Sequence, residues 1–415
     1  MGLPPDNGLF MPEKIPILPK NFISNLSKYD LPEIGFEISK AFLGDEIPHD
    51  VLKKICKESF NFPVPLVTIT DDTSICELFH GPTLAFKDFG ARFMSRIMSY
   101  LNRIYKSPLT ILVATSGDTG GAVADGFYNV PGIDVFILYP SGGVSGLQEK
   151  QLTTFGNNIH AIEVKGTFDD CQHLVKKAFL DSDLNKNYRL ASANSINIAR
   201  LIPQTLYYFE AYKKIQRKEK VVFVVPSGNF GNLTAGLIAR RMGLPIEHFV
   251  AATNANDVVP QYLDKGDYIP RASQPTISNA MDVGNPSNFG RMSELYGNSW
   301  MEMKNAISGY SFSDDETKEI MLEVYHKYSY ILDPHGAVAF LGWLAYKKEN
   351  LGCQGILLET AHPAKFIDSV ELVLNKKIEV PQALEKLRTK EKSAGLINAD
   401  YEEFKTYLKK LKDQN

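Results

Sequence analysis

One run without charged residues spans residues 221–239 and has the sequence VVFVVPSGNFGNLTAGLIA. Its length suggests a membrane span, but Pro226, Asn229, Asn232 and three glycines make it a poor one. Its first five residues are all Val or Phe, which is typical of a buried strand. A glycine-containing turn follows, and the residues after the turn favour a helix. The run therefore predicts a strand–turn–helix unit, the junction at which open α/β sheets bind ligands.

The turn inside this run has the composition of an anion site. Gly228 and Gly231 allow a ligand to approach the backbone, and the helix that follows begins with unpaired N–H groups. A phosphate is a natural ligand for such a helix start. The turn matches neither GxxxxGK[ST] nor GxGxxG, which disfavours kinases and dinucleotide enzymes. From these residues alone, a phosphate site and a plain turn without a ligand are equally good interpretations.

The alternation of strand and helix continues along most of the chain. Apolar runs rich in Val and Ile predict strands buried on both faces, as in a parallel sheet, at residues 65–69, 76–79, 109–114, 135–139, 160–164, 221–225, 249–252 and 355–358. Helical periodicity predicts helices at residues 197–216 and 314–328, and an apolar stripe along residues 86–104. This pattern predicts an α/β fold.

Composition excludes several classes of protein. The chain has 415 residues, of which 44% are hydrophobic and 22% charged, so it is neither wholly disordered nor fibrous. Its 45 basic and 48 acidic residues give a net charge of −3, which is no electrostatic footprint for a nucleic acid. The four cysteines are sparse and none is in CxxC spacing, so we expect no disulfide scaffold and no metal site. The N-terminus does not resemble a signal peptide, which predicts a cytoplasmic protein.

Two further turns join a predicted strand to a predicted helix. In ATSGDTGG, residues 114–121, the hydroxyls of Ser116 and Thr119 suit a small carboxylate, although for this segment alone capping of the next helix is the favoured interpretation. In HGPTLAFKDF, residues 80–89, Lys87 begins a helix between two phenylalanines. The helix dipole and the apolar neighbours both favour a neutral amine there, which suits a Schiff-base lysine. The alternative is an ordinary exposed lysine.

A polar segment, SANSINIAR, occupies residues 192–200. Asn194 or Ser195 can cap the helix that follows, and Arg200 lies about one and a half turns into that helix. An amide, a hydroxyl and a guanidinium together could bind a dianion. A capped helix with a solvated arginine is the simpler interpretation of this segment in isolation. The segment ETAHPAKF, residues 359–366, directly follows the strand predicted at 355–358.

Together these segments resemble the threonine synthase family, pyridoxal-phosphate (PLP) enzymes with a tryptophan-synthase-β-like fold. The resemblance covers nearly the whole chain, through GLFMP, ELFHGPTLAFKDFG, ATSGDTGG, LQEKQ, SANSINIAR, VPSGNFGNLTAG, AATNANDVVP, SNAMDVGNPSN and ETAHPAKF. It is strongest to the long bacterial and fungal form. It implies the fold of PLP fold type II, with two open α/β lobes, a central cofactor cleft and a small N-terminal module.

The resemblance also implies an organisation of the chain. We expect the N-terminal module in residues 1–80, a smaller α/β lobe in 81–192, a larger PLP-binding lobe in 193–380 and a helical extension in 381–415. It further implies a monomer that acts on a small molecule, without a membrane or nucleic-acid partner.

The resemblance assigns roles to particular residues. Lys87 would form the Schiff base with PLP, and Thr360 would face the pyridine nitrogen. The phosphate of PLP would be held by Gly228, Asn229, Phe230, Gly231 and Asn232. Asp118 would lie near the 3′-oxygen of PLP, where we hypothesise a shared proton because two like charges would repel. The substrate would contact Ser116, Gly117, Thr119, Asn194, Ser195 and Arg200.

The implied activity is that of a PLP-dependent carbon–oxygen lyase. It would convert O-phosphohomoserine and water to L-threonine and phosphate by β,γ-elimination and addition of water at Cβ, the last step of threonine biosynthesis. The alternatives are a PLP-dependent phospholyase or dehydratase that releases 2-oxobutyrate, and a non-catalytic PLP-binding relative. Product analysis separates a phospholyase or dehydratase from the implied activity. An absence of turnover would indicate a non-catalytic relative.

Overall fold

The computed structural model describes residue 4 and residues 8–106, 108–216 and 220–413 of the chain. Within them lie eleven strands: β1 Leu66–Thr70, β2 Thr73–Glu77, β3 Leu109–Ala114, β4 Ile133–Pro140, β5 Ile159–Lys165, β6 Arg189–Ser192, β7 Val221–Pro226, β8 His248–Thr253, β9 Ile307–Ser311, β10 Gln354–Glu359 and β11 Gly395–Asn398.

The described residues also form nineteen α-helices. They are α1 Lys20–Ser24, α2 Leu31–Leu43, α3 His49–Ser59, α4 Lys87–Tyr105, α5 Asp118–Phe127, α6 Gly146–Thr153, α7 Phe168–Leu180, α8 Ser182–Asn187, α9 Ile198–Leu201, α10 Thr205–Lys214, α11 Gly231–Arg241, α12 Val258–Lys265, α13 Phe289–Leu295, α14 Trp300–Ala306, α15 Asp314–Tyr328, α16 Pro334–Glu349, α17 Ile367–Leu374, α18 Gln382–Arg388 and α19 Tyr401–Asp413. Short 3₁₀ turns lie at Leu26–Lys28, Ile202–Gln204, Asn279–Met281 and Pro363–Phe366.

The chain divides into two compact units. The larger unit consists of Met11–Phe89 and Leu201–Glu379. The smaller unit consists of Gly90–Arg200, the chain from Val380 onward and the described residues before Met11. The four-part division expected from the sequence stays a prediction; in the structure, the helices of the N-terminal segment belong to the larger unit.

The larger unit is built on a six-stranded sheet in the order β1-β2-β10-β7-β8-β9. Strands β1 and β2 pair antiparallel, and every other pair in this sheet is parallel. Side chains of β7, β8 and β10 pack against α16, whose Trp343 is fully buried. Gly355 on β10 leaves room for that ring, because a Cβ there would lie 2.6 Å from the indole. Burial on both faces explains why these strands are continuous apolar runs.

The smaller unit is built on a five-stranded parallel sheet in the order β11-β5-β4-β3-β6. One face of the sheet packs with α7 and α19, and the other face packs with α4 and α5. The C-terminal segment therefore supplies an edge strand, β11, and a helix with buried Phe404 and Leu408.

The predicted α/β alternation is present in both sheets. All eight predicted strands exist, most with ends shifted by one or two residues and the second shifted from 76–79 to Thr73–Glu77. Three short strands, β6, β9 and β11, were not predicted. The single helix predicted at 197–216 is three pieces, because Pro203 has no N–H to donate and a 3₁₀ turn interrupts the helix there. Among the described residues, no helix combines the length and apolarity that crossing a bilayer requires.

Candidate functional site

One edge of the larger sheet collects most of the predicted cofactor residues. Strands β2, β10, β7 and β8 are neighbours and run parallel, so their carboxyl ends lie at the same edge. The segment with Lys87 follows β2, Thr360 follows β10, and the turn Gly228 to Asn232 follows β7. Parallel strands with connections of this kind bind ligands at their carboxyl ends. The fold therefore brings three separated sequence motifs to one edge of the larger unit.

Lys87 and Thr360 are held by the same pair of backbone segments. Ala85 and Ala361 form an isolated antiparallel bridge, and the Phe86 N–H donates to the Thr360 carbonyl at 2.9 Å. Lys87 is the first residue of α4, as predicted, and its Nζ lies 5.6 Å from the centre of the Phe86 ring. The amine is half-buried at the positive end of the α4 dipole. The helix dipole disfavours a charge on this amine, whereas the contact with the Phe86 ring favours one.

The segment before Lys87 is fixed by a buried carboxylate. Asp88 is fully buried and accepts hydrogen bonds from the Thr83 N–H at 2.9 Å and the Thr83 hydroxyl at 2.6 Å. Gly81 leaves space for it, because a Cβ at Gly81 would overlap the Asp88 side chain. Buried Lys365 donates to the Thr83 carbonyl at 2.9 Å. Asp88 lies in ELFHGPTLAFKDFG and Lys365 in ETAHPAKF, but neither residue had a predicted role.

The turn after β7 is an open helix start. Phe230 adopts a left-handed backbone conformation with φ of 59°, immediately before α11. The N-cap residue Phe230 makes no side-chain hydrogen bond to this helix, and the Asn232 side chain accepts from the Leu233 N–H at 2.9 Å, which leaves the preceding N–H groups of the turn to a ligand. Gly228 lies against backbone, since a Cβ there would be 2.6 Å from Met281 Cα and 2.9 Å from the Ala280 carbonyl oxygen. The geometry suits a phosphate group.

Side chains from outside the motif hold the turn in place. The Asn229 side chain accepts a hydrogen bond from the Ser287 N–H at 2.5 Å, and the Asn229 carbonyl accepts one from Asn288 at 3.0 Å. Arg291 donates to the Asn288 side chain at 2.8 Å. Arg291 is 1% exposed, and burial lowers the pKa of its guanidinium to about 10. This buried cation lies one side chain behind the turn, where it favours an anionic ligand.

A polar cluster supports the segment that lies against Gly228. Asp282 accepts hydrogen bonds from the Thr276 N–H at 3.0 Å, from the Thr276 hydroxyl at 2.7 Å and from Asn254 at 2.9 Å. Burial raises the pKa of Asp282 to about 6. Asn254, Asp282 and Asn288 lie in AATNANDVVP and SNAMDVGNPSN, motifs that marked the family resemblance without indicating what these residues do.

The smaller unit places the other predicted residues on two adjacent loops. Strands β3 and β6 are paired and parallel, so the loops after them lie at the same edge. The Asn194 side chain joins the loops, because it accepts from the Ala114 N–H at 3.1 Å and donates to the Ala114 carbonyl at 2.6 Å. Ser116, Thr119 and Ser195 are half-buried on these loops. Asn194 thus organises the loops and is itself only partly exposed.

The loop after β3 begins a helix in a conformation that requires glycine. Gly117 has φ of 135° and a Cβ there would lie 2.7 Å from Gln148. The buried Thr115 hydroxyl accepts from the Gly117 N–H at 3.0 Å and from the Gly120 N–H at 2.8 Å. Asp118 is buried and accepts a hydrogen bond from Gln148 at 2.8 Å. Gln148 belongs to LQEKQ and was another residue without an assigned role.

Arg200 is more deeply buried than a solvated arginine. It is 3% exposed and donates to the Ala193 carbonyl, directly before Asn194. Gly90 makes this possible, because a Cβ at Gly90 would lie 2.5 Å from the Arg200 carbonyl oxygen and 3.0 Å from its Nε. The solvated-arginine alternative is therefore wrong. Whether Arg200 binds substrate stays a prediction.

Three family models match the chain. The model described as "Pyridoxal-phosphate dependent enzyme" matches residues 75–354, "Threonine synthase N terminus" matches residues 1–60, and "Threonine synthase, C-terminal" matches residues 337–408. Threonine synthase from Escherichia coli strain K12 is 45% identical over 385 residues, which cover 92% of this chain and 89% of that protein. The chain belongs to the threonine synthase family.

Solved structures of threonine synthases agree with this assignment. The crystal structure of threonine synthase from Escherichia coli matches with a TM-score of 0.93 at 42% identity, over 99% of this chain and 95% of that one. The X-ray structure of PLP-bound threonine synthase from Brucella melitensis matches with a TM-score of 0.90 at 34% identity, over 99% and 94%. The predicted family, fold type, enzyme class and PLP cofactor are confirmed.

The residues of the larger unit fit PLP. Lys87 supplies an amine, and the start of α11 supplies N–H groups for a phosphate. Thr360 is 6% exposed, and within the described part of the chain its hydroxyl has no hydrogen-bond partner. This hydroxyl is not among the fully buried polar atoms that lack a partner, so a ligand can reach it. The three groups that the threonine synthase resemblance assigned to the cofactor are thus available together.

Proposed function

We propose that the protein converts O-phosphohomoserine and water to L-threonine and inorganic phosphate. The observation that carries the proposal is the bridge between Ala85 and Ala361, which holds Lys87 and Thr360 together in a chain of the threonine synthase family. The bound cofactor would supply an electron sink for the negative charge that develops at the substrate Cα.

Cofactor binding is assigned to the larger unit. The N–H groups at the start of α11 bind the cofactor phosphate, and the Thr360 hydroxyl hydrogen-bonds the ring nitrogen. Because a hydroxyl carries no negative charge, it does not draw a full proton onto that nitrogen as a carboxylate would. Buried Arg291 adds positive charge behind the phosphate turn.

Proton transfer is assigned to Lys87. Its neutral amine removes the proton from the substrate Cα. The α4 dipole disfavours the charged form of this amine. A proton then leaves Cβ, the bond from Cγ to the phosphate oxygen breaks, and phosphate departs. A proton added at Cγ makes the methyl group, water adds at Cβ, and the proton returned to Cα completes threonine.

Substrate binding is assigned to the smaller unit. Ser116, Gly117 and Thr119 would bind the substrate carboxylate at the start of α5, where the backbone N–H groups and the dipole favour an anion. Asn194, Ser195 and Arg200 would bind the substrate phosphate. Stabilising the charge on the departing phosphate lowers the barrier to its loss.

The test is phosphate release from O-phosphohomoserine, with identification of the organic product. Threonine in a one-to-one ratio with phosphate is the expected result. Formation of 2-oxobutyrate would favour a phospholyase or dehydratase, and no turnover would favour a non-catalytic relative. Lys87→Ala should lose essentially all turnover and the visible absorbance of the bound cofactor. Full activity of that variant would refute the role of Lys87.

Arg200 has a separate test. Arg200→Ala should raise the KM for O-phosphohomoserine far more than the dissociation constant of PLP. An equal rise in the KM and in the PLP dissociation constant would indicate a structural role, which the bond from Arg200 to the Ala193 carbonyl also permits.

We further propose that the protein is a cytoplasmic monomer that binds no nucleic acid, as the resemblance and the nearly balanced charge suggest. Sedimentation of the purified protein tests the oligomeric state.

A further inference from the structure

A cluster of buried acids lies directly behind Thr360. Glu359 is the last residue of β10 and is 1% exposed, and Asp333, which precedes α16, is 0% exposed. Glu77, on the neighbouring strand β2, is in register with Glu359. None of these side chains has a place in the reaction steps above. Buried carboxyl groups are expensive to maintain, so their arrangement calls for a physical explanation.

Asp333 has the hydrogen bonds of an ionised carboxylate. Its Oδ1 caps α16 by accepting from the N–H groups of His335 and Gly336, and it also accepts from His335 Nδ1 at 2.7 Å. Its Oδ2 accepts from the Ala361 N–H at 3.2 Å. All four donors are N–H groups. The other ring nitrogen of His335 accepts from the Ala280 N–H at 3.2 Å, so the ring is neutral with its proton on Nδ1.

Asp333 therefore links a helix start to the backbone beside Thr360. The helix is the sixteen-residue α16, which packs against the centre of the larger sheet. The linked residue is Ala361, the partner of Ala85 in the bridge that precedes Lys87. One carboxylate thus connects α16 to the segment after β10 and, through the bridge, to the segment before Lys87.

Glu359 has the environment of a neutral carboxylic acid. One of its oxygens accepts from the Asp333 N–H at 2.8 Å, and its other oxygen lies against Gly336, where a Cβ would collide with the carboxyl group. Burial, followed by the charge of Asp333, raises the pKa of Glu359 well above its ordinary value. Two carboxylates that are buried and adjacent cannot both be ionised cheaply, and Asp333 has the better set of donors.

Acids, tyrosines and histidines from several elements surround Glu359. Strand β2 contributes Glu77, which accepts from Tyr330 at 2.8 Å and contacts His80 at 2.7 Å. The chain before α16 contributes Tyr330 and Asp333, α16 contributes His335, and the segment after β10 contributes His362. Burial lowers the pKa of His362 to about 4, so it is neutral near pH 7. Glu77 and Asp333 are the groups that repel a second negative charge on Glu359.

We infer that Asp333 is a positioning residue for Thr360, and that Glu359 beside it keeps its proton at neutral pH. The first half rests on the proposed role of Thr360, whereas the second half does not depend on the reaction. The two halves serve one purpose. A charged Glu359 would add a second negative charge to that of Asp333 behind the segment that carries Thr360 and would favour a proton on the ring nitrogen. The neutral acid fills the space without this charge.

The proton on Glu359 is tested by infrared spectroscopy of the holoenzyme. The wild-type protein at pH 8 should show the carbonyl band of a protonated carboxylic acid, and Glu359→Gln should lack that band. Glu349→Gln, which changes an exposed acid at the other end of α16, is the matched control and should keep it. A wild-type spectrum without the band, or a band that persists in Glu359→Gln, would overturn the assignment.

The role of Asp333 is tested with Asp333→Ser. Serine still caps α16 but does not reach the Ala361 N–H, so folding is kept while the link is removed. We expect the PLP dissociation constant to rise about tenfold or more, which corresponds to losing one hydrogen bond to a charged group. The pH dependence of the bound-cofactor absorbance should also shift. An unchanged dissociation constant together with an unchanged pH profile would refute the positioning role.

These measurements separate the inference from the proposed function. A protein that shows the infrared band and the Asp333→Ser phenotype but does not turn over O-phosphohomoserine would contradict the proposed reaction alone. A protein that makes threonine but lacks the band would contradict the inference alone. Asp333→Asn provides a further variant: it keeps the cap acceptor and removes the charge, so it should share the shifted pH profile.

Discussion

Gly228→Ala tests whether the turn after β7 holds the cofactor. A Cβ on residue 228 would lie 2.6 Å from Met281 Cα and 2.9 Å from the Ala280 carbonyl oxygen. Carbon atoms in contact need about 3.5 Å, so one of the two segments must move by about 0.9 Å. The opposing atoms are backbone atoms and cannot rotate away as the end of a flexible side chain could.

The structure indicates which segment moves. The Ala280 N–H donates to His335 at 3.2 Å, and Met281 is 3% exposed in the core of the larger unit. The turn is open toward its ligand, so it yields first. Overpacking of this kind costs about 1–3 kcal/mol. If this cost falls on the bound state, the PLP dissociation constant rises about 5-fold to 150-fold.

The assay is equilibrium binding of PLP to protein freed of the cofactor, with thermal unfolding of the same preparations. Gly290→Ala is the matched control, because Gly290 is exposed in α13 and no atom lies within 4 Å of its added Cβ. The control should bind PLP normally and be slightly more stable, since alanine favours a helix. If Gly228→Ala bound PLP within twofold of the wild type, our assignment of the phosphate site would be wrong.

Two further predictions concern stability and substrate affinity. Because the folded pKa of Glu359 is raised above its ordinary value of 4.5, folding takes up a proton, and this contribution to stability is lost as pH rises toward the folded pKa. In urea unfolding, the free energy of unfolding of Glu359→Gln should therefore rise relative to that of the wild type by about 1.4 kcal/mol per pH unit over that range. A difference between the two proteins that does not change with pH would contradict this. Thr115→Val leaves the Gly117 N–H without its acceptor, so it should cost about 1–3 kcal/mol. It should also raise the KM for O-phosphohomoserine while PLP affinity stays normal; an unchanged KM would count against the β3 loop as the substrate site.

Local patterns predicted much of the fold. The run of Val and Phe before Pro226 is strand β7, and the residues after the turn form α11, as expected. Helix α15 has the predicted limits because Ser313 and Glu316 form a capping box at its start. The strands that were missed, β6, β9 and β11, have four or five residues, and all three lie at sheet edges. Their existence depends on pairing with strands that are remote in sequence.

The candidate site also has a part that could be predicted from the sequence and a part that could not. The helix start at Lys87 and the turn at Gly228 could be predicted, because each belongs to a contiguous motif with its own chemical character, whereas Thr360 was assigned only by the family resemblance. The contacts that hold these groups could not be predicted. Asp333 meets Ala361 across 28 residues, Asn194 meets Ala114 across 80, and Lys365 meets Thr83 across 282. No periodicity or spacing encodes such pairs.

The sequence by itself determined that residues 221–239 are a strand, a turn and a helix start, because backbone preferences and burial act over a few neighbouring residues. Only the tertiary structure decided which acid keeps its proton. Glu359 and Asp333 are both acids by composition, and their difference arises from burial, mutual repulsion and the four N–H donors that surround Asp333. Those are properties of a folded environment, because the free energy of a charge depends on what surrounds it in space.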